Sequence, residues 1–301
     1  MNPAAARLLV AVDVDGTLLD SEFDDVLRPR EVAALQAVRD AGHVVALCTG
    51  RNLNSTRALL EQSAWFPDDL PLVLLNGAVV WGDAPRRRLA SHELDGERIR
   101  RLIGLFKVHG TVPMVYGHDD DGGFLHHEPV AVNAILARYL AKRRAAVGSL
   151  AVVEDLAALG LERALEVGTI DRQERIEALS AAVRAELGDA VNVVNTRSLL
   201  GDGAYYWAEA FDRQTGKGTG LRVLADFCGI PLAATVAIGD NYNDLDMFDV
   251  AGWSVAMDGA PAAVLARADE IAAPVRESGA AAVLERIAAG HRPGGRKGGT
   301  T

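Results

Sequence analysis

Four short runs along the chain are apolar, save one threonine: Leu8 to Val12, Val44 to Cys48, Leu72 to Leu75 and Thr235 to Ile238. Uninterrupted runs of this length predict strands buried on both faces rather than strands with one wet side. Each run stops at polar or glycine residues: Asp13, then Thr49-Gly50-Arg51, then Asn76-Gly77, then Gly239-Asp240. Helical patterns separate them. Val32, Leu35 and Val38 recur within Pro29 to Ala41, and Gly42 follows as a stop signal. Leu221, Leu224 and Phe227 recur within Gly218 to Cys228, before Gly229 and Pro231. Strand alternating with helix predicts an α/β fold, a Rossmann-like parallel sheet with helices on both faces. Ligands of such sheets bind beyond the carboxyl ends of the strands, so the polar stops are expected to share one crevice.

The middle of the chain has a different rhythm. Ile99, Leu102, Ile103 and Phe106 mark an amphipathic helix, and "TVPMVYGHDDDGGFLHHE" reads as two strands about an Asp-Gly turn. A helix at Pro129 to Ala141 and a strand at Ala164 to Val167 follow. Asp171 stands as an N-cap with Glu174 in capping-box position, and "VNVVN" and "AYYWAEAF" read as strands. This predicts an inserted α+β unit at residues 84–204, between core segments 1–83 and 205–290. The basic, glycine-rich residues 291–301 are expected to form a disordered tail.

Composition narrows the function. The 301-residue chain is 49% hydrophobic and 24% charged, with a net charge of -10. An acidic chain lacks the basic face that nucleic-acid binding requires, so no nucleic-acid partner is expected. No run reaches the roughly 18 apolar residues of a membrane span, and Asp13 and Asp15 interrupt the N-terminal apolar stretch. A cytoplasmic protein is the expectation, with Cys48 and Cys228 as free thiols. The sequence does not set an oligomeric state.

Asp13 and Asp15 carry the first chemical signal. Two carboxylates one residue apart at the end of an oily strand repel each other unless something compensates. A divalent cation with a preference for hard oxygen ligands does so. An isolated D-x-D is more often a solvated turn, but this one continues as D-x-D-G-T-L. The string resembles the first motif of the haloacid dehalogenase-like superfamily of phosphatases. Thr49 to Arg51 ("TGR") resembles the second motif, Lys217 in "TGKGTGL" the superfamily lysine, and "IGDNYNDLDM" (Ile238 to Met247) the fourth. "NGA" at Asn76 to Ala78, with the long insertion before Lys217, is similar to the Cof-like subgroup, whose members carry an α+β (C2-type) cap there.

The resemblance implies a set of roles. Asp13 is the nucleophile that forms an aspartyl-phosphate, and Asp15 the acid that protonates the leaving alcohol and then activates water. Magnesium is held by the Asp13 carboxylate, the Asp15 carbonyl and Asp240. Thr49, Gly50, Lys217 and Asn243 grip the phosphoryl group, and Asp244 steadies Lys217 or the metal's surroundings. Because a departing halide needs no proton, Asp15 favours a phosphatase over a dehalogenase. The expected substrate is a small phosphorylated metabolite, with a sugar phosphate foremost, and the cap is expected to close over the site and select it. A phosphomutase of the same superfamily and a non-catalytic phosphometabolite-binding protein are the alternatives.

Other signals are weaker. A Walker A reading of Lys217 fails, because Phe211 stands where its first glycine belongs and Gly218 where Ser or Thr does. Asp246 is expected to be a helix N-terminal acid. His126 and His127, adjacent on a strand, face opposite sides and are expected to pack or to lie at the surface.

Overall fold

The computed structural model describes residues 7–83, 86–119, 122–131, 133–143, 149–198, 200 and 203–291. It divides into two compact units at Ala90/Ser91 and Thr215/Gly216. In the first unit the chain runs β1 (Leu9–Val12), α1 (Pro29–Asp40), β2 (Val44–Cys48), α2 (Leu53–Gln62), β3 (Leu72–Leu74), β4 (Val79–Asp83) and β5 (Arg87–Ser91). The second unit holds β6 (Leu94–Asp95), α3 (Gly96–Val108), β7 (Met114–Asp119), β8 (Gly122–His127), α4 (Ala134–Arg143) and β9 (Ser149–Val152). It continues with β10 (Arg163–Ala164), β11 (Glu166–Arg172), α5 (Gln173–Leu187), β12 (Val191–Arg197) and β13 (Tyr205–Asp212). The chain returns to the first unit with α6 (Lys217–Cys228), β14 (Thr235–Gly239), α7 (Leu245–Val250), β15 (Trp253–Met257), α8 (Ala262–Leu265), β16 (Glu270–Ala272) and α9 (Gly279–Ala288).

Among the described residues, the first unit's strands form one eight-stranded sheet, ordered β16-β15-β14-β1-β2-β3-β4-β5. Pairing is parallel from β16 through β3 and turns antiparallel at β4. Every residue of β1, β2 and β14 is buried, as continuous apolar runs predict. Leu9, Ala11, Val44, Ala46 and Cys48 pack with Leu221 and Leu224 of α6 and with Met247 and Phe248 of α7. Val10, Val12, Val45 and Leu47 alternate to the opposite face, and α1 and α9 pack against each other. The α/β sheet with helices on both faces is therefore the observed core. Phe227 departs from its predicted stripe: it is exposed and lies under the Arg87 guanidinium, 5.0 Å from its ring centre. Cys48 and Cys228 are free thiols, the first buried and the second half-buried.

The second unit is α+β. Its six-stranded sheet, β12-β13-β11-β7-β8-β9, is antiparallel except for the β8–β9 pair. Ile99, Leu102, Ile103 and Phe106 of α3, with Ile176, Leu179 and Val183 of α5, cover one face through Val115, Val167, Ala208 and Ala210. Both boundaries lie later than the sequence predicts. Residues 87–91 extend the core sheet next to β4, so the insertion does not start at 84. Tyr205–Asp212 pairs with β11 and β12, so the core does not resume at 205. The capping box also fails: Asp171 lies in β11, and Arg172, with no side-chain cap, precedes the helix. Asp171 instead accepts from the Arg172 N–H and pairs with Arg175. The helix expected from Pro129 begins at Ala134, and the strand expected at 164–167 runs on to Arg172. His126 stacks on Phe124, and His127 meets the Glu128 carbonyl. Of the expected tail at 291–301, all but His291 lies outside the described residues. No described helix is long and apolar enough to cross a membrane.

Leu47 is fully buried in the middle of the parallel sheet. Leu47→Ala is expected to lower unfolding free energy by about 2–5 kcal/mol, as deleting a packed leucine leaves a cavity. Urea denaturation of the two proteins checks this; an unchanged midpoint contradicts the packing.

Candidate functional site

The parallel register brings the polar stops together. Val12 pairs with Ile238 on one side and Leu47 on the other, so β1, β14 and β2 end at one level. Asp13, Gly239-Asp240 and Cys48-Thr49 therefore leave the sheet side by side. The Asp13 N–H still donates to the Ile238 carbonyl at 2.9 Å, which fixes its direction.

Lys217 opens α6 and is almost fully buried. Its Nζ donates to Asp13 Oδ1 and to Asp244 Oδ1, both at 2.6 Å. The N-cap of α6, Gly216, has no side chain to offer, and Asp246 supplies the cap from a distance, accepting from the Gly218 N–H at 2.8 Å. The helix-end role expected of Asp246 thus serves the helix that carries Lys217. Asp244 also uses its second oxygen, which accepts from the N–H groups of Asp240 and Asn241 at 2.9 Å. Thr17 donates its hydroxyl to Asp240 Oδ1 at 2.9 Å.

Asp13, Asp240 and Asp244 each place a carboxylate oxygen within 4.8 Å of the others. Three carboxylates and one ammonium leave two negative charges in a mostly buried space. Burial pushes the Asp13 carboxyl up to about 7, with Lys217 opposing and Asp244 adding to the rise. Burial and the charges of Asp13 and Asp244 push Asp240 well above the carboxylate range. For Lys217, burial alone lowers the pKa, but the charges of Asp13 and Asp244 outweigh it and hold the ammonium above its usual range. The donor set is all oxygen, as a hard divalent cation prefers. Asp244 has both oxygens engaged by the protein, whereas Asp13 gives one to Lys217 and Asp240 one to Thr17. A backbone cradle accompanies the cluster. Gly16 has φ +88°, and a Cβ there would sit 2.6 Å from the Asp240 Cγ. These residues fit a bound cation.

Asp15 goes elsewhere. Its Oδ2 accepts from Arg51 Nε at 2.7 Å and its Oδ1 from Arg51 Nη2 at 2.5 Å, a two-pronged pair. The Ser21 hydroxyl also donates to Oδ1. Thr49 is fully buried, and its hydroxyl accepts from the Arg51 N–H at 3.1 Å. Gly50 lies beside Asn76, whose amide would be 3.4 Å from a Cβ at that position. Asn243 Nδ2 donates to Asn76 Oδ1 at 2.8 Å. Asp13, Lys217, Asp240 and Asp244 thus form one cluster, Asp15 pairs with Arg51, and Asn243 pairs with Asn76. Sequence reasoning placed no role on Arg51, Asn76 or Ser21. The first two lie inside motifs, at "TGR" and "NGA", which was the signal available; Ser21 offered none.

Fold and site together define a hydrolase of the doubly wound α/β type with an inserted α+β unit. A family model described as haloacid dehalogenase-like hydrolase matches residues 10–284, and the chain belongs to that family. The 5-amino-6-(5-phospho-D-ribitylamino)uracil phosphatase YitU of Bacillus subtilis is 28% identical over 288 residues, covering 92% of this chain and 96% of that protein. The pyridoxal phosphate phosphatase YbhA of Escherichia coli is 26% identical, over 87% of this chain and 91% of its own. The crystal structure of TM0651 from Thermotoga maritima superposes with a TM-score of 0.72 at 25% identity, over 94% of this chain and 98% of that one. The chain is a phosphatase of the Cof-like subgroup. Phosphatases of this superfamily use a divalent metal, and the acidic cluster for one is present.

Lys217→Met removes the ammonium and leaves Asp13 and Asp244 facing each other in a buried space. A loss of about 3–5 kcal/mol of stability is expected, the range for breaking a buried pair. Chemical denaturation in a chelator-containing buffer checks it, and wild-type stability there contradicts the pairing. Gly16→Ala is expected to strain the loop and push Asp240 aside, weakening divalent-cation binding measured by calorimetry.

Proposed function

We propose that the protein is a magnesium-dependent phosphatase that hydrolyses a small phosphorylated metabolite through an aspartyl-phosphate on Asp13. The observation that carries this reading is the convergence of Asp13, Asp240 and Asp244 around buried Lys217, at the carboxyl ends of neighbouring parallel strands. Asp13, Asp240 and the Asp15 carbonyl would hold the cation. When bound, it neutralises the excess carboxylate charge and draws electron density from a phosphoryl oxygen.

The protein's own residues do the rest. An Asp13 carboxylate oxygen attacks phosphorus, and the bond from phosphorus to the ester oxygen breaks. Asp15, having taken up a proton from solvent as its pair with Arg51 opens, gives that proton to the departing oxygen, so an alcohol leaves. Asp15 then takes a proton from water, the water oxygen attacks phosphorus, and the bond to Asp13 breaks, releasing phosphate. Lys217, Asn243, Thr49 and the Gly50 backbone hold the phosphoryl oxygens throughout. Because phosphoryl transfer depends mainly on positioning and charge, a lysine fixed by two carboxylates suits the task. Arg51 and Ser21 orient Asp15. Asp244 acts only through others, by holding Lys217 and the Asp240 loop.

The substrate class we infer is a phosphate monoester of a sugar or other small polyol. The activities for which YitU and YbhA are named, on a phosphoribityl compound and on pyridoxal phosphate, support a small, polar leaving alcohol. Selection among such alcohols is assigned to the inserted α+β unit. Protein of this charge, turning over a soluble metabolite, is taken to work in the cytoplasm.

A panel of sugar phosphates, 5-amino-6-(5-phospho-D-ribitylamino)uracil, pyridoxal phosphate and nucleotides, assayed by phosphate release, tests the proposal. Turnover is expected with magnesium, to stop on chelation and to return on adding the metal back. Asp13→Asn is expected to remove at least about 10⁴-fold of the activity, since it deletes the nucleophile. Metal-independent turnover, or an active Asp13→Asn variant, sinks the reading.

A further inference from the structure

The segment after β3 is strained. Leu75, Asn76 and Gly77 have φ of +49°, +53° and +101° in succession. Asparagine and glycine tolerate this left-handed region, but a leucine there is an outlier. Such strain persists only where the surroundings over-determine it, and it gathers at functional positions. Here the surroundings are explicit. The Leu75 N–H donates to the Arg51 carbonyl and the Asn76 N–H to the Thr49 carbonyl, both at 3.1 Å. On the other side, a Cβ on Gly77 would lie 2.6 Å from the carbonyl carbon of Gly216, the residue before Lys217. The turn is thus held between the Thr49 loop and the start of the lysine helix.

What the turn delivers is the Asn76 side chain. Its Oδ1 accepts from Asn243 Nδ2 at 2.8 Å, while Asn243 Oδ1 is buried and accepts no hydrogen bond. One end of the Asn243 amide is therefore unheld, and the bond to Asn76 is what fixes the amide's rotation. A primary amide carries two N–H donors. With one committed to Asn76, the other has a set direction and is free for an anionic oxygen. Losing the Asn76 acceptor leaves the Asn243 amide free to rotate and, to satisfy its own orphaned oxygen, to turn the wrong way.

We propose that Asn76 is a positioning residue for phosphate recognition: the strained turn at Leu75–Gly77 exists to set the Asn243 amide toward the phosphoryl group. The inference rests on the reading that Asn243 is a phosphoryl ligand. Asn76 itself acts only through Asn243, so the two form a coupled pair.

A double-mutant cycle tests this, using Asn76→Gly, which keeps the left-handed backbone while deleting the acceptor, Asn243→Ala, and both together. The readouts are kcat/KM for p-nitrophenyl phosphate with magnesium and the inhibition constant of inorganic phosphate. Asn243→Ala is expected to weaken both about ten- to a hundredfold, as for a lost hydrogen bond to a charged group. Asn76→Gly is expected to weaken both about three- to tenfold, and the double variant to match Asn243→Ala within about twofold. An Asn76→Gly protein indistinguishable from wild type, or losses that multiply in the double variant, overturns the role of Asn76 and leaves Asn243 a phosphate ligand. An Asn243→Ala protein with unchanged phosphate inhibition overturns the Asn243 reading, and the inference with it. If Asn76→Gly does not fold by circular dichroism, the wild-type protein decides. A nuclear Overhauser contact between the Asn243 and Asn76 side-chain amides, with a phosphate-dependent shift of the Asn243 signal, is the expected result. No contact between the two amides overturns it.

Discussion

The buried ammonium of Lys217 is the constraint around which the site is built. Removing a charge from water costs several kcal/mol unless partners compensate, and the idealised cost is about 20 kcal/mol. Asp13 and Asp244 compensate it at 2.6 Å each. That solution creates a second problem, since two carboxylates and Asp240 exceed one ammonium. Part of the excess is absorbed by dipoles: two backbone N–H groups on Asp244 and the Thr17 hydroxyl on Asp240. The remainder appears as upward pressure on the Asp13 and Asp240 pKa values. A site that is anionic overall repels a phosphate dianion. Binding one therefore calls for added positive charge, and the crowded carboxylates are the feature that attracts it.

The sheet makes this concentration of charge possible. Asp13, Thr49 and Asp240 come from strands far apart in sequence, yet the β1 register with β14 and β2 delivers them at one level. A one-residue slip would turn each side chain to the other face of its strand. Total burial of β1, β2 and β14 on both faces gives that register no alternative. The oily run before Asp13 is thus a rigid mount: its hydrophobic burial stabilises the fold that the clustered carboxylates strain. In β1, β2 and β14 charged residues occur only beyond the strand ends, because only there can their charge reach solvent, a cation or a ligand.

This division explains what was legible in the sequence. Apolar runs bounded by polar stops revealed β1, β2, β3 and β14, and the motifs brought Asp13, Lys217, Asp240 and Asp244 to one place, where the geometry also puts them. The edges of the inserted unit were not legible. Residues 205–212 read as a strand that could end the insertion or reopen the core, and pairing with β11 and β12 assigns them to the second sheet. The same holds for Asp171: local spacing advertised a cap, but strand pairing with Tyr206 took the residue first. Tertiary context outweighed local preference there, as it commonly does for marginal signals. The partnerships Asp15–Arg51 and Asn76–Asn243 were hidden for another reason. Each joins motifs that sequence reading treats separately, and no pattern within one motif states which member of another it will meet.

Those partnerships also show how labour is divided at the site. Around Lys217 the groups are locked by burial and by short hydrogen bonds, as the ammonium held between Asp13 and Asp244 illustrates. Asp15 is held differently: the Arg51 and Ser21 side chains donate to its carboxylate, and its own side chain is 32% exposed. The contrast matches the demands of the proposed chemistry. The nucleophile and the phosphoryl-binding charge must not move, because displacement by about an ångström can cost two orders of magnitude in rate. The acid must gain a proton, pass it to the departing oxygen and recover one from water, which requires contact with solvent and freedom to shift. The partial exposure of Asp15 gives it that contact with solvent once the Arg51 pair opens, whereas the buried lattice around Lys217 admits none.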